Sequence, residues 1–288
     1  MRYFETFAGV GGFALAIKKV FPNAKCVGFS EVDKFANIIY KKRFPGHFNY
    51  GDVKACAEFA ELLPDFDCLV GGPPCTDLSI AKGNREGLKG SRSGLFYSFV
   101  EILRKKKPKY FIMENVASMS KEDRAEITRE LETIYPKIYS HVMTSDCFTP
   151  QKRLRIYWTN FPFTKPTGTG ERWSSLVAWS RSTRYDPDPE NPGEFISRVE
   201  ERETRDGRAN TCTTGSGCGS FSSRNYWEGN GIRRALFPWE CEVLQGFPIG
   251  WTEGVSMAQR YKQIGNAVTV PVVEHILKDL DALQNKNF

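Results

Sequence analysis

Short apolar runs alternate with segments of helical periodicity along the first 165 residues. Arg2–Thr6 has the pattern of a buried strand, and Phe13, Ile17 and Val20 then recur at the spacing of one helix face. Further strands are predicted at Cys26–Ser30, Asp67–Val70, Tyr110–Met113, Ser140–Asp146 and Arg155–Trp158, and helices at Asp33–Arg43, Leu95–Lys105 and Arg124–Ile134. This alternation predicts an α/β fold with a mostly parallel sheet and helices on both of its faces.

The pattern changes at Pro166. Residues 166–232 are rich in Gly, Pro, Ser and Thr, have no helical period and contain Arg but no Lys. Beyond them, helices are predicted at Arg233–Gly246 and Val268–Leu283, and the second is expected to pack back on the first domain. We therefore predict an α/β domain built from 1–165 and 233–288, with a small irregular domain at 166–232. A flexible surface excursion is the alternative interpretation of 166–232.

Composition narrows the class of protein. With 288 residues and 40% apolar content, the chain can bury one sizeable core and a smaller attachment. It has no apolar run of about 18 residues, so we expect no signal peptide, no membrane span and a cytoplasmic location. The eight cysteines form no Cys-x-x-Cys pair, so neither disulfides nor a metal site is expected. The net charge of +6 permits a polyanionic partner without requiring one.

A thiol and a carboxyl follow two of the predicted strands. Cys75 comes after Gly71–Pro74, where the prolines must end the preceding strand because they donate no ladder hydrogen bond. Glu114 follows Tyr110–Met113 in the same way. Carboxyl ends of strands in an open α/β sheet are where ligands bind, so Cys75 and Glu114 are expected to act together. The pair suits nucleophilic attack with assisted protonation.

A glycine-rich turn follows the first strand. Gly9 and Gly11 allow a tight turn and close approach by a nucleotide-like ligand. Glu31, at the end of the second strand, can hold two ribose hydroxyls, and Asp52 can reach an adenine amino group. No Gly-Lys-Ser/Thr follows, so a nucleoside such as S-adenosylmethionine fits better than NAD. The alternative is a turn that only packs a strand on a helix.

Basic residues offer contacts to a polyanion. Arg153 and Arg155 alternate in an extended segment, which places them on one face. They are interpreted either as surface charges or as a clamp for a base carbonyl and a phosphate near Glu114. The clusters Arg104–Lys107 and Lys152–Arg153 would add phosphate contacts if nucleic acid binds.

Seven blocks, in order, resemble those of the DNA (cytosine-5) methyltransferases. They are Phe7–Gly12, Glu31, Pro73-Pro74-Cys75, Glu114-Asn115-Val116, Gln151-x-Arg153-x-Arg155, Glu242-x-x-x-Gly246-Phe247-Pro248 and Gly265-Asn266-Ala267-Val268. The resemblance covers nearly the whole chain outside 166–232, with features of both bacterial or phage enzymes and the de novo animal-type branch. It implies a Rossmann-like S-adenosylmethionine-dependent methyltransferase fold, with target recognition by 166–232.

The resemblance also implies a mechanism and its residues. Cys75 would attack cytosine C6, Glu114 would act at N3 as a carboxyl kept partly protonated by burial, and Arg155 would hold O2. Arg153 would help set the active-site loop and a phosphate. The base must be flipped out of the duplex. The segment Ser79–Gly94 is similar to the family's mobile loop, and DNA contacts are implied for Ser79, Ile80 and Ala81.

The resemblance implies S-adenosylmethionine as the cofactor and S-adenosylhomocysteine as its product. It also implies which residues line the cofactor site. The set comprises Phe7, Gly9, Gly11, Glu31, Asp52, Pro74, Leu95, Asn266 and Val268. One departure is Glu5-Thr6, which stands where an Asp-Leu pair is commoner in the family.

The expected partner is a short sequence of double-stranded DNA, with no obligate protein partner and a monomeric enzyme. Arg208, Thr214 and Arg224 are the predicted sequence contacts, since arginine suits guanine and Gly/Ser/Thr-rich loops approach DNA closely. A bacterial or phage modification enzyme, associated with the nucleoid through its DNA, is favoured. Two alternatives stay open: a tRNA cytosine-5 methyltransferase, and a catalytically silent DNA-binding relative.

Overall fold

The computed structural model describes residues 1–74, 95–168, 179–187, 195–203, 209–210, 226–229 and 232–285, with side chains described up to residue 168 and from residue 236. The strands are β1 Arg2–Thr6, β2 Lys25–Ser30, β3 Cys68–Gly71, β4 Tyr110–Val116, β5 Tyr139–Thr144, β6 Gln151–Lys152, β7 Leu154–Thr159, β8 Trp179–Pro187, β9 Phe195–Glu203, β10 Ala209–Asn210, β11 Tyr226–Gly229 and β12 Ile232–Ala235. The helices are α1 Gly12–Val20, α2 Lys34–Arg43, α3 Val53–Glu58, α4 Leu95–Lys106, α5 Lys121–Glu132, α6 Pro238–Leu244, α7 Met257–Asn266 and α8 Val270–Asn285. Short 3-10 turns lie at Ala60–Leu62 and Ser145–Cys147.

The chain divides into two compact units. The first comprises Met1–Thr144, Leu154–Thr167 and Ala267–Phe288, and the second comprises Ser145–Arg153 and Gly168–Asn266. The second unit therefore takes in 145–153 and 233–266, which the sequence analysis placed with the α/β domain. A role of 166–232 in target recognition stays a prediction.

The first unit is built on a six-stranded sheet in the order β2-β1-β3-β4-β7-β5. The pairings among β2, β1, β3 and β4 are parallel, whereas β7 runs antiparallel to both β4 and β5. This arrangement confirms the α/β fold with a mostly parallel sheet.

Helices cover both faces of the sheet. Phe4 of β1 belongs to an apolar cluster that includes Phe96 and Phe99 of α4. The next side chain, Glu5, accepts a hydrogen bond from Tyr40 of α2. Because neighbouring side chains of a strand point to opposite faces, α4 and α2 lie on opposite sides.

Capping residues set where several helices begin. Gly11 precedes α1 with a φ of 83°, in the left-handed region that glycine adopts easily. The carboxylate of Asp33 accepts the N–H groups of Phe35 and Ala36 at the start of α2, and Ser120 caps α5 in the same manner. The last helix, α8, packs on the first unit as predicted, with Lys19 Nζ 2.7 Å from Glu274 Oε1.

Two sequence predictions of local structure differ clearly from the structure. The strand predicted to end at Met113 continues to Val116, because β7 pairs with its last five residues. The helix predicted over Arg233–Gly246 is instead β12, paired with β11, followed by α6, which Pro238 begins at its first turn. Among the described residues of 166–232, β8 and β9 form an antiparallel pair of nine residues each.

Candidate active site and cofactor site

Four parallel strands of the first unit end at the same edge of the sheet. Thr6 of β1 lies in register with Ser30 of β2 and Gly71 of β3, and Gly71 lies beside Met113 of β4. The predicted functional segments follow these four residues directly: the glycine turn, Glu31, Pro73-Pro74 and Glu114. The topology thus gathers them where parallel sheets bind ligands.

The turn after β1 is open on one side and packed on the other. Phe7 and Gly9 have left-handed φ values of 53° and 54°. At Phe7, which carries a side chain, this costs on the order of 1–3 kcal/mol. A Cβ on Gly9 would meet no described residue within 4 Å, whereas one on Gly11 would lie 2.7 Å from the Phe44 ring. Space for a ligand therefore exists at Gly9.

Glu31 lies against this open turn. Its Oε2 accepts the Gly9 N–H at 2.7 Å and its Oε1 accepts the Asp33 N–H at 2.7 Å. Burial raises the pKa of Glu31, and these N–H donors oppose the rise. Each carboxylate oxygen has a second acceptor position, so Glu31 can also accept two hydroxyls. These residues fit the ribose of a nucleoside cofactor.

Asp52 is the capping residue at the start of α3. Its carboxylate accepts the Lys54 N–H at 2.9 Å and caps α3, and the residue is exposed. Shortly before Asp52, an isolated parallel bridge joins Asn49 to Phe29 of β2. The exposed carboxylate permits a ligand contact, and the role of Asp52 stays a prediction.

The remaining predicted cofactor residues lie on several elements. Pro74 is half-buried and follows β3, and Leu95 is the half-buried first residue of α4. Val268 is buried just before α8 in the first unit. Asn266 is exposed at the end of α7 and belongs to the second unit.

Glu114 and Arg155 form an ion pair on one face of the sheet. Arg155 Nε lies 2.9 Å from Glu114 Oε1, with side-chain exposures of 17% and 12%. In the antiparallel pairing, Arg155 lies beside Val116 and Tyr157 lies beside Glu114. A close cation favours the ionised carboxylate, which differs from the partly protonated Glu114 expected from burial alone.

Gly72 and Asn115, to which the sequence assigned no role, also shape this site. A Cβ on Gly72 would lie 2.9 Å from Glu114 Oε2, so the carboxylate occupies the space of a missing side chain. The buried Asn115 donates from Nδ2 to the Pro73 carbonyl at 3.3 Å, and its Oδ1 accepts the Val116 N–H. Asn115 thereby fixes the backbone two residues before Cys75. Its place in the Glu114-Asn115-Val116 block was the only sequence signal.

The comparisons with known proteins identify the family. A profile of the C-5 cytosine-specific DNA methylases matches residues 1–208 and 191–282. The chain belongs to this family. The Type II methyltransferase M.NlaX of Neisseria lactamica is 30% identical over 311 residues, which cover 98% of this chain and 96% of that protein. M.HhaI of Haemophilus parahaemolyticus is 29% identical over 326 residues, covering 99% and 95%.

The fold of this family member also matches solved structures. The S. pombe Dnmt2 methyltransferase superposes with a TM-score of 0.70 and 17% identity, covering 98% of this chain and 99% of that one. At this identity the likeness shows the fold alone. Together with the family profile, it confirms the methyltransferase fold, and the profile confirms a DNA cytosine-5 methyltransferase.

In this methyltransferase the two arginines of the predicted clamp have different partners. Arg153 is buried, and its Nη2 donates to the Gly265 carbonyl at 3.2 Å within the second unit. Arg155 belongs to the first unit, where it pairs with Glu114. A guanidinium held like that of Arg153 stabilises its own unit, and the described contacts give no support to a phosphate contact there.

The lysines at the end of α4 also act within the fold. Lys105 donates to the carbonyls of Ala57 and Glu58, and Lys106 donates to the Leu63 carbonyl and to Asp65. These ammonium groups stabilise the C-terminal end of α3 and the turn after it, so the phosphate contacts suggested for this cluster gain no support.

Several predicted residues lie outside the described part of the chain. They are Cys75, Ser79, Ile80, Ala81, Arg208, Thr214 and Arg224, together with the remainder of Ser79–Gly94.

Proposed function

We propose that this methyltransferase acts on a cytosine flipped out of a short double-stranded DNA sequence, with Cys75, Glu114 and Arg155 contacting the base. The observation that carries the proposal is the Glu114–Arg155 ion pair at the sheet edge where β1 to β4 end. Gly72 leaves room for this carboxylate, and Asn115 fixes the backbone leading to Cys75.

S-adenosylmethionine is the proposed cofactor, held by Glu31 and the open turn at Gly9. When bound, it supplies the methyl group that C5 receives. Two features support this choice: the carboxylate of Glu31 is fixed by the Gly9 and Asp33 N–H groups, and no side chain of the described residues fills the space above Gly9. The roles of Phe7, Gly11, Asp52, Pro74, Leu95, Asn266 and Val268 stay predictions.

Cys75 is proposed to add to C6 as a thiolate, which raises the electron density at C5. Its sulfur later leaves C6 when the C5 proton is lost, and aromaticity returns. Negative charge develops on the ring during the attack, and Arg155 and Glu114 are proposed to offset it. The guanidinium has five donors, so Arg155 can hold Glu114 and the base O2 together.

The Glu114 ion pair sets a requirement on protonation. An ionised carboxylate and the N3 lone pair are both acceptors, so they repel unless a proton lies between them. Arg155 favours the charged carboxylate before the base enters. We therefore expect that proton to be taken up as the flipped base binds, with Arg155 turning part of its donor set to O2.

Sequence recognition is assigned to the segment 166–232, with Arg208, Thr214 and Arg224 as proposed contacts, and Ser79, Ile80 and Ala81 are proposed to contact DNA near the vacated gap. Arginine is suited to bidentate recognition of guanine. No helix in the described residues is long and apolar enough to cross a membrane. Monomeric action on duplex DNA is the simplest form of the proposal.

The test is sequencing of a mixed-sequence DNA duplex by bisulfite conversion, after incubation with the protein and S-adenosylmethionine. Methylcytosine in one short context, absent with Cys75→Ala, is the expected result. Methylation of tRNA in place of DNA would overturn the choice of substrate. Failure to form a covalent adduct with DNA containing 5-fluorocytosine would overturn the assignment of Cys75.

A further inference from the structure

A fully buried carboxyl lies beneath the cofactor turn, and the mechanism above does not use it. Glu5 is in β1, two residues before Phe7, and is 0% exposed. Tyr40 donates its hydroxyl to Glu5 Oε2 at 2.8 Å. Within the described part of the chain, Glu5 Oε1 has no hydrogen-bond partner. Buried polar atoms without partners are rare, and each calls for an explanation.

Glu5 is linked to the turn through both α1 and α2. The N–H groups of Phe13 and Ala14, in the first turn of α1, lie close enough to favour the charged carboxylate. The ring of Tyr40 would be 3.2 Å from a Cβ on Gly11, so this ring supports the turn from below. A change in the charge of Glu5 therefore affects the turn in two ways, through the first turn of α1 and through the Tyr40 ring.

Burial shifts the pKa values of Glu5 and of the thiol and phenol groups around it. Burial raises the pKa of Glu5 to about 8, and the nearby charge of Glu31 adds to the rise. Burial also raises the pKa of Cys26 to about 12 and the pKa values of Tyr3 and Tyr40 above their ordinary range, so these three stay neutral.

Tyr40 also connects Glu5 to a cavity. Its hydroxyl lies 3.2 Å from His47 Nδ1, and His47 lines a cavity of about 210 Å³ together with Tyr3, Lys18 and other residues. Burial and the charge of Lys18 lower the pKa of His47, so its ring is neutral and can accept a proton. The contacts form a continuous chain from the carboxyl to a half-buried imidazole.

We propose that Glu5 is a positioning residue of the cofactor turn, and that it exchanges its proton with solvent through Tyr40 and His47. In the structure the Tyr40 hydroxyl donates to Glu5 Oε2, so exchange requires it to turn and donate to the unprotonated Nδ1 of His47 while Glu5 Oε2 carries the proton. The Glu5 proton then passes to the Tyr40 oxygen as the Tyr40 proton passes to His47 Nδ1, which leaves Glu5 ionised, Tyr40 neutral and His47 cationic. His47 then gives a proton to water, so one proton leaves in all. The effect on the cofactor rests on the proposed function.

Charge couples this exchange to binding. S-adenosylmethionine has a positive sulfonium that S-adenosylhomocysteine lacks, and a nearby cation favours the ionised carboxyl. Binding therefore releases part of a proton from Glu5, and by reciprocity the affinity rises with pH through the Glu5 titration. S-adenosylhomocysteine, whose sulfur is neutral, should release less of the Glu5 proton when it binds.

The first experiment uses the protein without ligand. Infrared difference spectra across pH 6 to 10 should show one buried protonated carboxyl that ionises around pH 8 in the wild type and is absent in Glu5→Gln. Tyr40→Phe keeps the ring against Gly11 but removes the hydroxyl that connects Glu5 to His47. Proton exchange at Glu5 should therefore slow. A carboxyl signal that persists unchanged in Glu5→Gln would overturn the proposal.

Folding stability gives an independent readout. The pKa of the Glu5 carboxyl rises from its ordinary 4.5 to about 8 on folding. Between these two pH values the native state holds a proton on Glu5, whereas the unfolded chain does not. The wild type should therefore lose stability as pH rises through this window, and Glu5→Gln should lose less. Equal pH dependence in the two proteins would overturn the proposal.

The second experiment measures proton release on binding, by calorimetry in buffers of different ionisation enthalpy near pH 8. We expect the wild type to release more proton on binding S-adenosylmethionine than on binding S-adenosylhomocysteine. This release should be lost in Glu5→Gln and regained in Glu5→Asp. Equal release in wild type and Glu5→Gln would overturn the coupling. If the wild type binds no S-adenosylmethionine, the proposed cofactor fails, and the ligand-free titration still decides the role of Glu5.

Discussion

Arg155 reaches Glu114 because β7 runs against the direction of its neighbour. The strands β1 to β4 are parallel and end at one edge, whereas β7 is antiparallel and begins there. Arg155, the second residue of β7, therefore lies 2.9 Å from Glu114 at the edge where the other strands finish. One reversed strand places a cation beside the carboxylate.

Arg155→Lys tests the geometry of this pair separately from its charge. Lysine keeps the cation but lacks the planar guanidinium fork that is proposed to hold Glu114 and the base O2 together. We expect kcat/KM to fall by about 10- to 100-fold, corresponding to the loss of a charged hydrogen bond. Steady-state kinetics on duplex DNA measure this. The control is Arg104→Lys in the exposed pair with Glu101, where little should change.

Gly72→Ala tests the space reserved for Glu114. The new Cβ would lie 2.9 Å from Glu114 Oε2, so the carboxylate must move away from Arg155. We expect kcat to fall by about 10-fold or more, because misplacement of about 1 Å is costly in an active site. Gly46→Ala is the matched control, since a Cβ there meets nothing within 4 Å in the part of the chain that the structure describes. Equal loss of activity in both variants would contradict the explanation.

The sequence predicted the first unit well because its signals are local. Phe13 and Ile17 recur at helical spacing, and Asp33 is a capping residue, so α1 and α2 follow from short-range rules. The end of β4 was missed because it depends on pairing with β7, a contact distant in sequence. The burial of Arg153 against the Gly265 carbonyl is long-range in the same way, and nothing near Arg153 predicts it.

Asn115→Asp tests whether the hydrogen bond to Pro73 positions the loop that leads to Cys75. Aspartate keeps the acceptor for the Val116 N–H but loses the donor and places an oxygen against the Pro73 carbonyl. The free energy of unfolding should fall by about 1–3 kcal/mol. The formation of a covalent adduct with 5-fluorocytosine DNA should slow as well.

Asn160→Asp is the control for this change. Asn160 also accepts a backbone N–H, from Phe111, and donates to a carbonyl, that of Lys109, at the other end of β4. The Asn160→Asp variant should also lose folding stability. Under conditions where it is folded, its rate of adduct formation should be nearly that of the wild type. Equal slowing in the two variants would show that the effect of Asn115 is only on stability.

Glu31→Gln tests the proposed ribose contact. The amide cannot accept both the Gly9 and Asp33 N–H groups, and it removes the charge that strengthens bonds to hydroxyls. The Kd for S-adenosylhomocysteine should rise by about 10- to 100-fold, measured by calorimetry. The exposed Glu58→Gln serves as control. An unchanged Kd would place the ligand elsewhere.

Glu242 offers a test of the second unit alone. Its carboxylate is fully buried and accepts the N–H groups of Gly250, Trp251 and Thr252 as well as the guanidinium of Arg260 at 2.9 Å. Removing one partner of a buried pair costs about 3–5 kcal/mol, because the other charge is left uncompensated.

Glu242→Gln keeps the shape but not the charge, so it should lower the melting temperature by on the order of 10 °C in calorimetric unfolding. A variant that also replaces the cation, Glu242→Gln with Arg260→Met, should recover part of this loss, since no unpaired charge stays buried. Cofactor affinity, assigned to Glu31 and the Gly9 turn, should be unchanged in both variants under conditions where they are folded. If the double variant is no more stable than the single one, the backbone bonds rather than the ion pair make Glu242 important.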